Sequence, residues 1–435
     1  MNWTLRGLTL GMLLSINAWA GVVDDMKVLV QQGKADEAYQ LGKGHPEELG
    51  DPAYDFYFGV AAVSSGRSGE GVLALERYVL NFPENPYGRL ELARGYFVLG
   101  EDSRARQEFA LVLDAKPPED MRVSVERFLD ALRSREATYN PVRGFYVEAG
   151  FGYDSNANAG VASGSSFRIF GVDLPVPAGL VRQHDTYKTL AAGANGSLPL
   201  APGLILFGGI NADLREYSTQ TDFNQKSVSG NAGLTFIKGK NLWRGSVAYS
   251  NLWLQNDDYR HVWTVNGEWY HQLDERQTLN AFIQHSELSY TGTNSALDSR
   301  FPIVGVGYRR AFIIPMQPLL SLTAYGGKED VSARSDRTRE VYGARITGSL
   351  TPAPRWSVLV GATLQQSDYA EPDLTRMLDF ARHDQYTAYD LTVSYAISRN
   401  LSVRGEGVIS RNSSNDNLFQ YERNSLAVKI RYDFK

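Results

Sequence analysis

The chain of 435 residues contains no cysteine. That removes a lipid-modified N-terminal cysteine, a disulfide framework, thiolate metal sites and a cysteine nucleophile in one step. Histidine is scarce. His45, His184, His261, His271, His285 and His383 show no spacing that sets two on one helix or beside carboxylates as metal ligands, so no metal or cofactor is expected. No apolar run approaches the roughly 18 residues of a membrane-spanning helix, and mean hydropathy is −0.31. A formal charge of −5 is small for this length and offers no basic surface to nucleic acid.

Catalytic motifs are equally thin. Gly239-Lys240 suggests a phosphate loop, but Gly233 lies one residue too far upstream and Asn241 replaces the required Ser or Thr, so a turn is expected. Ser163, within Gly160 to Gly164, lacks the Gly-x-Ser-x-Gly spacing of a nucleophile elbow. Barrel hydrolases place Ser and His on neighbouring strands, which draws attention to His285-Ser286. A rim or lumen position is the expectation there, and the protein is not expected to be an enzyme.

What is present falls into three segments. Residues 1–20 run from Arg6 through Leu8, Leu10, Met12, Leu13, Leu14 and Ile16 to Ala18-Trp19-Ala20, the pattern of a secretory signal peptide cleaved after Ala20. Residues 21–140 read as a periplasmic helical repeat domain, and residues 141–435 as a membrane β-barrel.

The helical segment has a 34-residue period: Gly66 and Gly100, Pro52 and Pro86, Pro83 and Pro117. That is the period of tetratricopeptide (TPR) helix pairs. A glycine is expected to open each second helix, with a small residue five later to allow close approach: Gly33 with Ala38, Gly66 with Gly71, Gly100 with Ala105. Two full repeats and a partial first one are predicted, capped by a helix over about 119–136. First helices of such pairs line a concave surface. Ala53, Phe56, Val60 and Ser64 would lie beside Tyr87, Leu90, Arg94 and Phe97, making Phe56, Tyr87, Arg94 and Phe97 the candidate client-binding groove.

From about Arg143 onward, apolar and polar residues alternate. In the last unit Leu426, Val428, Ile430, Tyr432 and Phe434 share one face and Ala427, Lys429, Arg431 and Asp433 the other. One apolar face and one charged face fit a wall with lipid outside and water inside, because only a closed barrel satisfies its backbone within hydrocarbon. About fourteen strands are predicted, centred near 148, 192, 209, 232, 248, 266, 282, 306, 323, 345, 361, 392, 405 and 429. The even number suits a single-chain bacterial barrel, and the 24 Tyr, 19 Phe and 7 Trp suit strands and interfacial girdles. Longer links are expected at 154–185, 218–225, 255–259, 290–300, 329–338, 367–384 and 411–421, with short turns between them. Short turns face the periplasm in such barrels, which puts both chain ends and the helical domain there.

The fold class is therefore α plus membrane β: a TPR-like α-solenoid followed by a fourteen-stranded antiparallel transmembrane barrel in the outer membrane of a Gram-negative bacterium. Charges of both signs are expected to face the lumen: Glu268, Arg345, Asp390, Arg404, Glu406, Lys429, Arg431 and Asp433. Such a set either neutralises itself across neighbouring strands or lines a hydrated conduit or a dynamic seam, with Lys429, Arg431 and Asp433 near barrel closure; Arg404, Glu406, Lys429, Arg431 and Asp433 are the candidate lumen charges.

Phe151-Gly-Tyr-Asp-Ser-Asn-Ala-Asn-Ala159, directly after the helical repeats and at the end of the first strand, resembles the Gly-Tyr-Asp-Ser-Asn-x-Asn segment of the surface lipoprotein assembly modulators (Slam). The resemblance in architecture spans nearly the whole mature chain. It implies translocation of client proteins, lipidated or secreted, to the cell surface, with no catalytic role for the motif positions Asp154, Asn156 and Asn158. By residue chemistry these three suit a turn, since Asp and Asn side chains mimic backbone turns. The expected partners are the outer-membrane bilayer, the exported client, a periplasmic chaperone and the barrel-assembly machinery. The alternative is an exopolysaccharide export porin, which also joins periplasmic repeats to a barrel and calls for a lumen of acidic and aromatic residues.

Overall fold

The protein is described by a computed structural model over residues 21–136, 138–274, 276–312, 316–373 and 375–434. The expected signal peptide lies outside the described residues. The chain divides into two compact units between Leu132 and Arg133.

The first unit is helical: α1 (Val22–Gln31), α2 (Ala35–Lys43), α3 (Pro52–Ser64), α4 (Ser68–Asn81), α5 (Pro86–Leu99), α6 (Asp102–Asp114) and α7 (Glu119–Glu136). The 34-residue period has a local cause. Asp51 accepts a hydrogen bond from the Tyr54 N–H at 2.9 Å, and Asn85 accepts from Tyr87 and Gly88 at 2.9 and 3.2 Å. Pro52 and Pro86 then occupy the first helical position, where no N–H is needed. Gly33, Gly66 and Gly100 do not open the second helices as expected. They sit in the turns just before them, at φ of 75°, 83° and 80°, a backbone that a Cβ would strain.

Packing within the unit depends on small residues at the crossings. A Cβ on Gly71 of α4 would lie 2.8 Å from the Gly59 carbonyl oxygen of α3, so the two backbones touch there. Tyr39, Tyr54 and Phe58 stack at 5.5 Å spacings beside Met26. Leu75, Leu92, Phe109, Val125 and Leu132 form the adjoining core. Each large apolar side chain buried in this way contributes about 1.5–3 kcal/mol. The first helix pair is complete, though shorter than the others, where the period indicated only a partial repeat.

The second unit is a closed antiparallel barrel. Its strands are β1 (Val142–Asp154), β4 (Asp185–Ala201), β5 (Leu204–Tyr217), β6 (Gln225–Lys238), β7 (Asn241–Leu254), β8 (Asp257–Gln272) and β9 (Gln277–Tyr290). They continue with β10 (Ser299–Ala311), β11 (Leu319–Val331), β12 (Arg339–Leu350), β13 (Trp356–Pro372), β14 (Ala381–Ala396), β15 (Leu401–Ser414) and β16 (Tyr421–Phe434). A hairpin of β2 (Ser166–Ile169) and β3 (Val172–Pro175) occupies the first long connection. β1 pairs with both β4 and β16, closing fourteen strands.

Every expected strand centre falls inside one of these strands. The connection expected at 255–259 is instead a two-residue turn of Gln255 and Asn256, both at positive φ, as tight hairpins require. Residues 367–372 and 381–384, expected in a long link, extend β13 and β14.

The outward faces carry exposed apolar side chains all around the wall, among them Ile283, Val306, Leu364, Ile409, Leu426 and Ile430. In water so large an apolar surface would aggregate; in a bilayer it is the solvent-matched face. At the end bearing the chain termini of the barrel, Phe236 stacks on Trp243 at 5.7 Å and Trp356 packs tilted against Tyr395 at 4.9 Å, with Trp269, Tyr432 and Phe434 exposed beside them. These form an interfacial aromatic girdle.

Candidate functional site: the barrel lumen and its loop-end mouth

Closure brings the candidate lumen charges into two groups. Lys429 of β16 is directly opposite Arg404 of β15 and Gly150 of β1. Its ammonium lies 2.8 Å from Glu406 and 3.6 Å from Glu148. Arg404 is ion-paired to Glu148 and lies 3.4 Å from Glu406. Two cations and two carboxylates therefore alternate across three strands at the seam. Gly150 makes the space, since a Cβ there would come within 2.6 Å of the Lys429 chain. Arg431 and Asp433 pair separately at 2.8 Å, with the Arg431 guanidinium 3.7 Å over the Tyr146 ring.

Glu148, only 7% exposed, is the member that sequence reasoning missed. The signal was present: Tyr146, Glu148, Gly150, Gly152 and Asp154 form the polar face of β1, which must meet the polar face of the last strand once the barrel closes. Elsewhere on the wall Arg345 donates to Asp390 at 2.8 Å across β13, above Gly361, where a Cβ would collide with both. Glu268 lies 4.0 Å from Arg244 and accepts a hydrogen bond from Tyr270 at 2.8 Å. The candidate lumen charges are thus each paired with an opposite charge.

The motif after β1 lies at the opposite end of the same seam. Asp154 is fully buried and accepts from Arg423 of β16 at 3.0 and 2.5 Å and from the Tyr217 hydroxyl at 3.0 Å. Asn156, also fully buried, donates to the Gly160 and Glu422 carbonyls at 2.8 and 2.9 Å and accepts from the Gly160 N–H at 2.8 Å. Asn158 bridges Val181 and Gln183 at 2.9 and 3.1 Å. Together they fold residues 155–184 back onto the wall, where Ala157 packs against Tyr187, Tyr217 and Ala427.

These partners lie on the lumen face. Tyr187 is opposite Gly152, Tyr217 is opposite Tyr187, and Ala427 is opposite Gly152 on the other side. The hairpin tip continues across the mouth: the Phe170 N–H donates to Arg376 at 2.9 Å, and Asn417 donates to Ser166 at 3.0 Å. The first long connection is an ordered strap over the lumen, not an outward loop.

In the helical unit the four groove candidates have different surroundings. Phe56 packs edge-on to Tyr57 and tilted against Tyr78, at 5.1 and 5.0 Å. Phe97 packs against Phe128 of α7 at 5.2 Å. Arg94 pairs with Glu91 at 2.7 Å. Tyr87, 57% exposed, faces solvent, as do the aliphatic side chains of Val98 and Leu99 on the same helix. Nearby, burial and the hydrogen bond to Glu76 push the Tyr96 phenol up to about 12, so it stays a neutral donor.

The weaker motifs resolve simply. Gly239-Lys240 is the two-residue turn between β6 and β7. Strand alternation puts His285 and Ser286 on opposite faces: Ser286 is buried against Thr264 and Gln284, while His285 is near Glu287 at 3.9 Å. Among the described residues no cluster of three metal-ligating side chains occurs.

No protein-family model matches the chain, and no curated protein matches it. Solved structures match in two groups. The barrel is similar to an anion-selective porin from Comamonas acidovorans, with 10% identity over 68% of this chain and 99% of that one and a TM-score of 0.36. It is also similar to an outer membrane channel from Pseudomonas putida F1, with 11% identity over 67% and 95% and a TM-score of 0.36. The helical unit is similar to the type III secretion translocator chaperone SycD of Yersinia enterocolitica, with 13% identity over 26% and 83% and a TM-score of 0.24. These are likenesses of fold.

Proposed function

We propose that the protein is an outer-membrane translocation factor that moves a client protein, lipidated or secreted, from the periplasm to the cell surface. The helical repeats lie in the periplasm and capture the client, and the barrel provides or assists its passage. The observation that carries this reading is the joining, in one chain, of a TPR-type unit with solvent-facing apolar side chains on α5 to a lipid-facing barrel. A solute pore has no use for an apolar capture surface, whereas an unfolded or chaperone-held polypeptide offers its complement. The resemblance of residues 151–159 to the Slam segment supports the same reading. A photo-crosslinking residue at Tyr87 tests it in living cells. Capture of a co-expressed exported protein is expected, and capture of none would count against the helical unit as the client receptor.

A second reading, the exopolysaccharide export porin, is favoured by one feature. A lumen-wall cavity of about 290 Å³ is lined by Asn266, Glu268, Tyr270, Asn280, Phe282 and Gln284, a mixture of amide, acid and aromatic groups that suits sugar rings. Conductance of the purified barrel in planar bilayers separates the two, because only the porin reading expects block by oligosaccharide.

A further inference from the structure

Near the loop ends of β9 and β11–β14 lies a cavity of about 540 Å³, a size that suits a small organic ligand. Four arginines line it, Arg334, Arg337, Arg339 and Arg382, with a single carboxylate, Glu329. Its position is inside the wall. Glu329 is opposite Arg339, which is opposite Tyr369, and their common face is the one that carries Thr363 and Arg345 into the lumen.

The arginines are held, not hidden. Asp336 pairs with Arg334 at 2.6 Å, Asp373 with Arg337 at 3.2 Å, Glu329 with Arg339 at 2.8 Å and Asp384 with Arg382 at 3.3 Å. A guanidinium has five N–H donors and one carboxylate takes at most two in a fork, so each retains donors for a second acceptor. Arg334, Arg337 and Arg339 each keep 27% of the side chain exposed.

Aromatic rings also gather these cations. The Arg382 guanidinium is sandwiched 3.7 Å from the Tyr369 ring and 3.6 Å from Phe419, and Arg337 and Arg376 approach Phe419 at 5.6 and 5.9 Å. Asp373, Asp384 and Asp416 pair with these three guanidiniums, and with the ring faces they offset the mutual repulsion. A bound anion would be taken by the N–H donors that those pairs leave over.

We propose that this cavity is a binding site for a small organic polyanion, bearing carboxylate or phosphate groups, held at the mouth of the barrel. Its guanidiniums take the anionic groups, and Tyr290, Leu297 and Val331 contact the carbon skeleton. The proposal is independent of the client-transport reading, because it concerns what the lumen mouth holds and not what crosses.

Calorimetric titration of the full chain in detergent tests it, with pyrophosphate and citrate as separate probes. At least one should bind, less tightly as salt is raised. R334Q and R382Q should each weaken that binding about tenfold, the scale of one lost charge-assisted hydrogen bond. R300Q, at an exposed position outside the cavity, should leave it unchanged. Binding of pyrophosphate alone assigns a phosphate-bearing ligand, and of citrate alone a carboxylate-bearing one. If R382Q fails to show the heat-modifiable migration of a folded barrel, R334Q and R339Q carry the comparison. No binding of either probe at millimolar concentration, or affinity unchanged in R334Q and R339Q, overturns the proposal.

Discussion

Asp154, the last residue of the first barrel strand, and Arg423, near the start of the last strand, meet in a forked ion pair at 3.0 and 2.5 Å although 269 residues separate them. The pair fastens the loop end of the closing seam. Asp154 has no solvent contact, and among the described residues its charge is compensated by Arg423, the Tyr217 hydroxyl and the Asn156 N–H.

Asp154→Asn preserves shape and removes that charge. Breaking a largely buried pair in this way costs about 3 kcal/mol, and the urea midpoint of the detergent-solubilised chain should fall accordingly. Arg423→Gln should cost a similar amount, and the double variant less than the sum of the two, because the pair is coupled. Additive losses would show that the pair does not act as a unit.

Asn156→Ala removes two donated hydrogen bonds and one accepted bond at a fully buried position. Each unsatisfied group costs about 1–3 kcal/mol, and the loss is local to residues 155–184. The strap should become cleavable by added protease while the barrel resists it, and single-channel conductance should rise. A strap still resistant in Asn156→Ala would mean the hairpin contacts hold it instead.

Gly150 of β1 and Gly405 of β15 flank β16 at the same seam with opposite tolerance. A Cβ on Gly150 would meet Lys429 at 2.6 Å and the Val428 carbonyl at 2.7 Å, whereas Gly405 has open space around it. Gly150→Ala should destabilise the barrel by about 1–3 kcal/mol through overpacking, and Gly405→Ala should be near neutral. Equal effects in a denaturation series would contradict the placement of Lys429.

The loop cluster should loosen in acid. Burial pushes the Asp373 carboxyl up, but hydrogen bonds and charge from Arg376, with the charge of Arg337, outweigh this and hold it below its ordinary value. A carboxyl depressed by folding stabilises fully above its unfolded pKa of about 3.9 and loses that contribution as pH falls through the folded value. A spin label on Ala333→Cys, unique in a chain without cysteine, should gain mobility only below about pH 4. Mobility that rises instead toward neutral pH would assign the loop order to another group.

Much of this was legible in the sequence because period and burial coincide in the strands. The alternation from Leu426 to Phe434 reports lipid on one side and charge on the other with no tertiary information, and it located all fourteen strands. Links were less legible. The tight turn at Gln255-Asn256 lacks the glycine that marks such turns, and β13 and β14 extend through polar residues that composition assigns to a loop. The site was legible only in part. Lys429, Arg404 and Glu406 stood out as inward charges, but their counter-ion Glu148 depends on the closing register, a long-range pairing that local pattern does not encode. The motif showed its turn chemistry, not that the turn folds inward over the lumen.

Transport itself is tested most directly by protease treatment of intact cells that co-express the chain with an exported partner encoded nearby. With the full chain the partner should be digested at the surface. With residues 143–435 deleted, and separately with residues 22–136 deleted, it should be protected inside. Surface exposure unchanged in the absence of the barrel would contradict the central claim.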